Sequence, residues 1–71
     1  MESKNKYYAA SKTIPIGTNV WVVNTSNGKG VKVTILDQVG ANVAIDLSPT
    51  AFNQIADASG VINVRIEKYY P

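Results

Sequence analysis

Two carboxylates are the groups in this sequence best placed to do chemistry. Asp46 closes the short apolar run Val43-Ala44-Ile45 just before a helix start, and Asp37 closes the preceding run, Val31 to Leu36. Asp37, at the far end of the preceding strand, could approach Asp46 across the interior of a closed sheet. A carboxylate pair roughly 5–9 Å apart is the minimum equipment for breaking a glycosidic bond. One member then donates a proton, and at neutral pH such a donor needs surroundings that raise its pKa. Each aspartate also has a plainer reading. Asp46 could satisfy backbone N–H groups of the adjoining loop or helix cap, and Asp37 could be an ordinary loop residue. Four more side chains are candidates for contacting a substrate: Trp21, Ser11, Asn42 and Ser48. An indole stacks on a sugar ring or packs against a loop. The hydroxyls and the amide offer hydrogen bonds, but Asn42 also suits a turn and Ser48 a helix cap.

Other chemistries are excluded by composition. The chain has 71 residues with no cysteine and no histidine. Disulfides, thiolate metal sites and cysteine nucleophiles are absent, and so are the commonest general base and the commonest metal ligand. An enzyme built on this chain works with carboxylates, hydroxyls, lysine or tyrosine, and no cofactor is expected. The net charge is +2, and Lys4, Lys6, Lys12, Lys29, Lys32, Arg65 and Lys68 are scattered rather than clustered. That lacks the basic stripe of a nucleic-acid binder. It is compatible with weak attraction to an anionic surface such as a cell wall. No apolar run is long enough to span a membrane. The start, Met1 to Lys6, is polar and reads as a frayed lead without the apolar region of a signal peptide. A cytosolic protein and a mature exported domain both fit.

The elements that must position these residues are mostly strands. Tyr7-Tyr8-Ala9-Ala10 reads as a short strand, and Pro15 and Gly17 mark a turn. Asn19 to Asn24 is β-branched and aromatic, as strands prefer. Asn27-Gly28 signals a hairpin. Val31, Val33 and Ile35 then alternate with Lys32 and Thr34, which buries one face. Val43 to Asp46 is a third strand. Ser48 is the N-cap of a helix over 49–57, with Pro49 at the first helical position and Leu47 and Phe52 placed for a hydrophobic staple. Ala51, Phe52, Ile55 and Ala56 should face inward, and Ser59-Gly60 ends the helix. Val61 to Glu67 is the last strand, burying Ile62, Val64 and Ile66. The whole, residues 1–71, makes one small domain, and a chain with this many short strands tends to close into a barrel.

Three segments in series sharpen that expectation: "AASKTIPIGTNVWVVNTSNGKGVKVTILDQ", "AIDLSPTAF" and "SGVINVRIEKY". Together they resemble the double-psi β-barrel of the rare lipoprotein A, expansin and barwin group, from about residue 9 to 69. The resemblance implies a mainly β fold, a small six-stranded double-psi β-barrel with one short helix. It also implies action on polysaccharide walls. Some members cleave glycan strands, expansins loosen walls without hydrolysis, and barwin-like members bind chitin or inhibit proteases. Asp46 matches an aspartate essential in the expansin and endoglucanase branches. Asp37 matches an acidic position of several branches. Ser11 stands where the catalytic members carry a histidine, in "AASKTIP" for "AAHKTLP". "DQVG" replaces "DRGP". The family's first strand has no full counterpart, with Tyr7-Tyr8 as its remnant. The missing cysteines favour a bacterial type.

The expectation drawn from this is a wall-directed module, extracellular or in the cell envelope. It binds polysaccharide in a shallow groove and loosens rather than cleaves, because the histidine is missing. Two alternatives stand beside it. One is a weak peptidoglycan lytic transglycosylase or glycan hydrolase using Asp46. The other is a protein-binding barrel, such as a protease inhibitor, presenting Thr25–Gly30 or Gln38–Asn42. No nucleic-acid or membrane partner is expected. A monomer, with the tyrosines of the two ends packed together, is favoured over a strand-swapped dimer.

Overall fold

The fold is taken from a computed structural model of the chain, which describes residues 6–40, 45–56 and 62–70. The elements run β1 (Tyr8–Ser11), β2 (Asn19–Asn24), β3 (Gly30–Gln38), β4 (Ile45–Leu47), α1 (Pro49–Ile55) and β5 (Val64–Tyr70). The strands form one curled sheet, a half-barrel in the order β4-β1-β3-β2-β5. The short N-terminal strand is therefore interior. β1 runs parallel to β3 on one side and antiparallel to β4 on the other. β2 pairs antiparallel with both β3 and β5.

Alternation decides what the sheet buries. Val20 and Val22 of β2, Val31, Val33 and Ile35 of β3, and Ala9 of β1 face inward. Ala51 and Ile55 of α1, together with Ile14, close over them. Lys32 of β3 faces out. Ile45 and Leu47 on one edge strand and Val64 and Ile66 on the other pack half-buried against this core. Full burial of a Val, Leu or Ile side chain contributes roughly 1.5–3 kcal/mol, and these edge residues recover only part of that.

The loops are tied by side-chain amides. Asn24 is fully buried: its Nδ2 donates to the Ile55 carbonyl at 2.8 Å, and its Oδ1 accepts from the Ser26 N–H at 2.8 Å. Asn27 also donates to the Ile55 carbonyl, at 3.1 Å. The β2–β3 loop thereby caps the end of α1, whose last carbonyls have no intrahelical donor. Only Gly28 of the Asn27-Gly28 pair takes positive φ, at +76°. The loop closes through Gly28 N–H to Asn24 carbonyl and Asn24 N–H to Lys29 carbonyl, each at 2.8 Å. Gly17, at φ +95°, turns the chain so that its N–H donates to the Ile35 carbonyl at 2.7 Å.

Several sequence expectations shift. Among the described residues there are five strands, where six were expected. α1 ends at Ile55, two residues short of 57, because Ala56 is already extended with ψ 149°. Phe52 is half-buried rather than inward with Ala51 and Ile55. Ser59-Gly60 and Val61 lie outside the described residues. The tyrosine-bearing ends do not form neighbouring strands: β3 and β2 lie between β1 and β5.

Candidate functional site

An irregularity in β3 determines which way Asp37 points. Ala9 of β1 pairs with Ile35, but Ala10 pairs with Asp37, so Leu36 is an extra residue on β3. In an unbroken strand, side chains alternate between faces, and Asp37 would follow Val33 and Ile35 into the core. An unpaired carboxylate there is strongly disfavoured. The bulge shifts the frame by one, as bulges do when they re-aim a side chain. Asp37 then emerges on the outer face beside Ala10, and Leu36 is left 49% exposed.

Asp46 reaches the same place from the other side. Ala10 also pairs with Asp46 of β4. One row across the sheet therefore reads Asp37, Ala10, Asp46, with both acids on the outer face and only a methyl group between them. Their backbones are two strand spacings apart, roughly 10 Å. Both aspartates are exposed. They line one groove of about 570 Å³ together with Tyr8, Leu36, Leu47 and Pro49. Asp37 Oδ1 accepts the Gln38 N–H at 2.8 Å. The Asp46 side chain makes no hydrogen bond or ion pair with the other described residues. It does not cap α1, because that position belongs to Ser48.

Ser48 is 4% exposed and its hydroxyl is fully engaged. Oγ accepts the Ala51 N–H at 3.2 Å, which is the N-cap bond, and donates to the Lys6 carbonyl at 2.7 Å. Its backbone N–H donates to the Tyr8 carbonyl at 2.8 Å. Ser48 thus fastens the start of α1 to β1 and borders the groove, but its hydroxyl is not offered to a ligand. Ser11 differs more from expectation. It alternates with Ala10 and so faces the core, with no exposed surface. Its Oγ accepts the N–H groups of Thr13 at 3.3 Å and Ile14 at 3.1 Å, which holds the turn after β1. Ser11 was expected to contact substrate, but its side chain is buried and points away from both aspartates. Asn42 lies outside the described residues.

Trp21 is on the outer face of β2, half-buried, in register with Lys32 of β3 and Lys68 of β5. It lies across Gly30, where an added Cβ would come within 2.5 Å of the indole. It does not line the acid groove. It lines a separate shallow hollow of about 270 Å³ with Tyr7, Gly30, Lys32 and Gln54.

Sequence reasoning missed Tyr8, Ala10 and Leu36 as groove residues. Tyr8 and Ala10 carry a signal in retrospect, since they alternate with the buried Ala9 and Ser11. Leu36 carries none. Among the described residues no cluster of three or more His, Cys, Asp or Glu side chains could hold a metal ion. The arrangement suits a polyhydroxylated ring. Two carboxylates accept hydrogen bonds from hydroxyls, and Tyr8, Leu36 and Pro49 offer apolar surface to the C–H face of the ring.

Comparison with known proteins gives a consistent answer. The family model for lytic transglycolases matches residues 3–66. An endolytic peptidoglycan transglycosylase, RlpA, of Neisseria meningitidis serogroup A is 39% identical over 70 residues, covering 94% of this chain and 29% of the relative. Its serogroup B counterpart gives the same values. An uncharacterized protein of Synechocystis sp. is 49% identical over 49 residues, covering 69% of this chain and 52% of its own. The chain spans about half or less of the length of these curated relatives.

Proposed function

This chain belongs to the lytic transglycolase family of double-psi β-barrels, and on that premise we propose that it is a cell-envelope module that binds wall polysaccharide in the Asp37–Ala10–Asp46 groove. The observation that carries the reading is the outer-face row itself. Two exposed carboxylates flank a methyl floor, with Tyr8 and Leu36 at the rim. Peptidoglycan is the substrate class favoured by the relatives' transglycosylase activity. Binding or loosening without efficient cleavage fits this chain better than strong lytic action. No histidine is available, and the residue at the family's histidine position, Ser11, faces the core and spends its hydroxyl on a turn.

A weak lytic activity is the second reading. It is supported by the presence of two carboxylates on one groove, the arrangement that most glycoside hydrolases use. Co-sedimentation with insoluble peptidoglycan separates the two. The expected result is pelleting of the protein with no release of reducing or anhydro ends. Release of such ends, lost in Asp37→Asn or Asp46→Asn, would establish the lytic reading instead. Failure to pellet would refute the groove as a wall-binding site.

A further inference from the structure

The hollow at Trp21 is not part of the acid groove, but its Trp21 and Lys32 stand on the outer face of the sheet, as the two acids do. The indole rests against the backbone of Gly30. Three of its ring atoms come within 2.9 Å of where a Cβ would project from that residue. A Cβ at this position would run into the ring, so the indole packs directly against the glycine while staying half-buried rather than enclosed. Gly30 is thus a seat that any larger residue would fill. The ring is seated against the backbone before any ligand arrives, which lowers the entropy lost on binding. Tyr7, Lys32 and Gln54 complete the hollow. A preset aromatic face bordered by a second aromatic, an amide and an ammonium group suits a pyranose ring bearing amide or carboxylate substituents.

The register fixes where this hollow lies relative to the acids. Trp21 pairs with Lys32, and Asp37 is further along the same strand, with Leu36 as the bulged residue between them. From Trp21 to Ala10 is two strands across and about four residue rises along, roughly 16 Å. The path crosses Asn19, Thr34 and Tyr8, which share a row on the outer face. A disaccharide does not cover that distance, but a longer glycan strand does.

We propose that the Trp21 hollow is a second sugar-ring subsite, so that one glycan strand stacks on Trp21 and continues over Tyr8 into the Asp37–Asp46 groove. The proposal rests on the glycan reading of the groove. Trp21 is the sole tryptophan, so its indole N–H gives one unambiguous signal in a nitrogen–proton NMR spectrum. The experiment titrates the ¹⁵N-labelled chain with peptidoglycan-derived oligosaccharides of increasing length and follows that signal beside the amides of Ala10 and Asp46. The expected result is that a tetrasaccharide moves both sets together, binds more tightly than a disaccharide, and loses roughly tenfold in affinity in Trp21→Ala. Gly30→Ala, which drives the indole from its seat without removing it, should weaken the tetrasaccharide and leave the disaccharide's effect on Ala10 and Asp46 intact. If the groove amides shift to saturation while the indole stays still, the second subsite is refuted and the groove reading survives. If neither set moves with any oligosaccharide, the glycan reading fails and the subsite fails with it.

Discussion

Replacing Ser48 by alanine should cost about twice what an ordinary helix cap is worth. The Oγ-to-Ala51 bond is the N-cap, and its loss is typically about 1 kcal/mol. The same hydroxyl donates to the Lys6 carbonyl at 2.7 Å across a part-buried contact. Leaving that acceptor without its donor adds about 1 kcal/mol. The Tyr8 N–H approaches Oγ only to 3.4 Å and adds little. The total, about 2 kcal/mol, should lower the melting temperature of a domain this small by roughly 8–16 °C. Two further substitutions divide the effect. Ser48→Thr keeps both bonds and should melt near the parent. Ser48→Asp keeps the cap but cannot donate, and its charge faces the Lys6 carbonyl, so it should fall at least halfway towards Ser48→Ala. Urea and thermal unfolding followed by circular dichroism measure all three. A loss below about 0.5 kcal/mol in Ser48→Ala, or an unweakened Ser48→Asp, would refute the two-bond account.

Asp37→Asn and Asp46→Asn should each leave stability within about 0.5 kcal/mol, because both side chains are exposed and an asparagine at 37 can still accept the Gln38 N–H. Peptidoglycan co-sedimentation should nevertheless drop in both; a folded Asp46→Asn that pellets like the parent would remove that residue from the site. Ala10→Leu fills the space between the two acids, and should abolish pelleting while amide spectra remain dispersed and the urea midpoint changes little. Asn24→Ala deletes the buried donor to Ile55 and the acceptor for Ser26 N–H, and should cost about 2 kcal/mol in urea unfolding. Asn27 remains as a second donor to the same carbonyl, so a complete loss of folding would mean that Asn24 does more than these two bonds account for.

Local chemistry was readable in the sequence wherever a few adjacent residues decide the outcome. Ser48-Pro49 announced the start of α1, since both the cap and the proline act within one turn. The alternation from Val31 to Ile35 announced the buried face of β3. What could not be read depends on a distant partner. Leu36 is a bulge only because β1 aligns Ala9 with Ile35 and Ala10 with Asp37; in isolation Ile35-Leu36-Asp37 is a strand running out. Nothing within Tyr8–Ser11 states that it will lie between two other strands and run parallel to one. Asn24 and Asn27 were legible as turn residues, but their hold on α1 was not, because the helix end they meet is far along the chain. Ser11 was assigned by matching a family position, whereas its direction follows from strand parity with Ala9.

The interior placement of β1 also bears on the order in which the molecule assembles. The β2–β3 hairpin joins residues close in sequence and can form early, since short loops close at little entropic cost. β1 has no such neighbour. Its docking waits until β3 and β4 both exist, and the Ser48-to-Lys6 bond that secures it closes a span of 42 residues. The Asp37–Ala10–Asp46 row should therefore form late in folding and separate early in partial opening, because releasing one four-residue strand parts all three members. Amide exchange at Ala9 and Ala10 should report a lower opening free energy than at Val20 or Val22. A ligand laid across the row would bridge β3, β1 and β4 at once, so occupancy and closure of this seam become thermodynamically linked, and the wall polymer itself would act as the last piece that holds the fold shut.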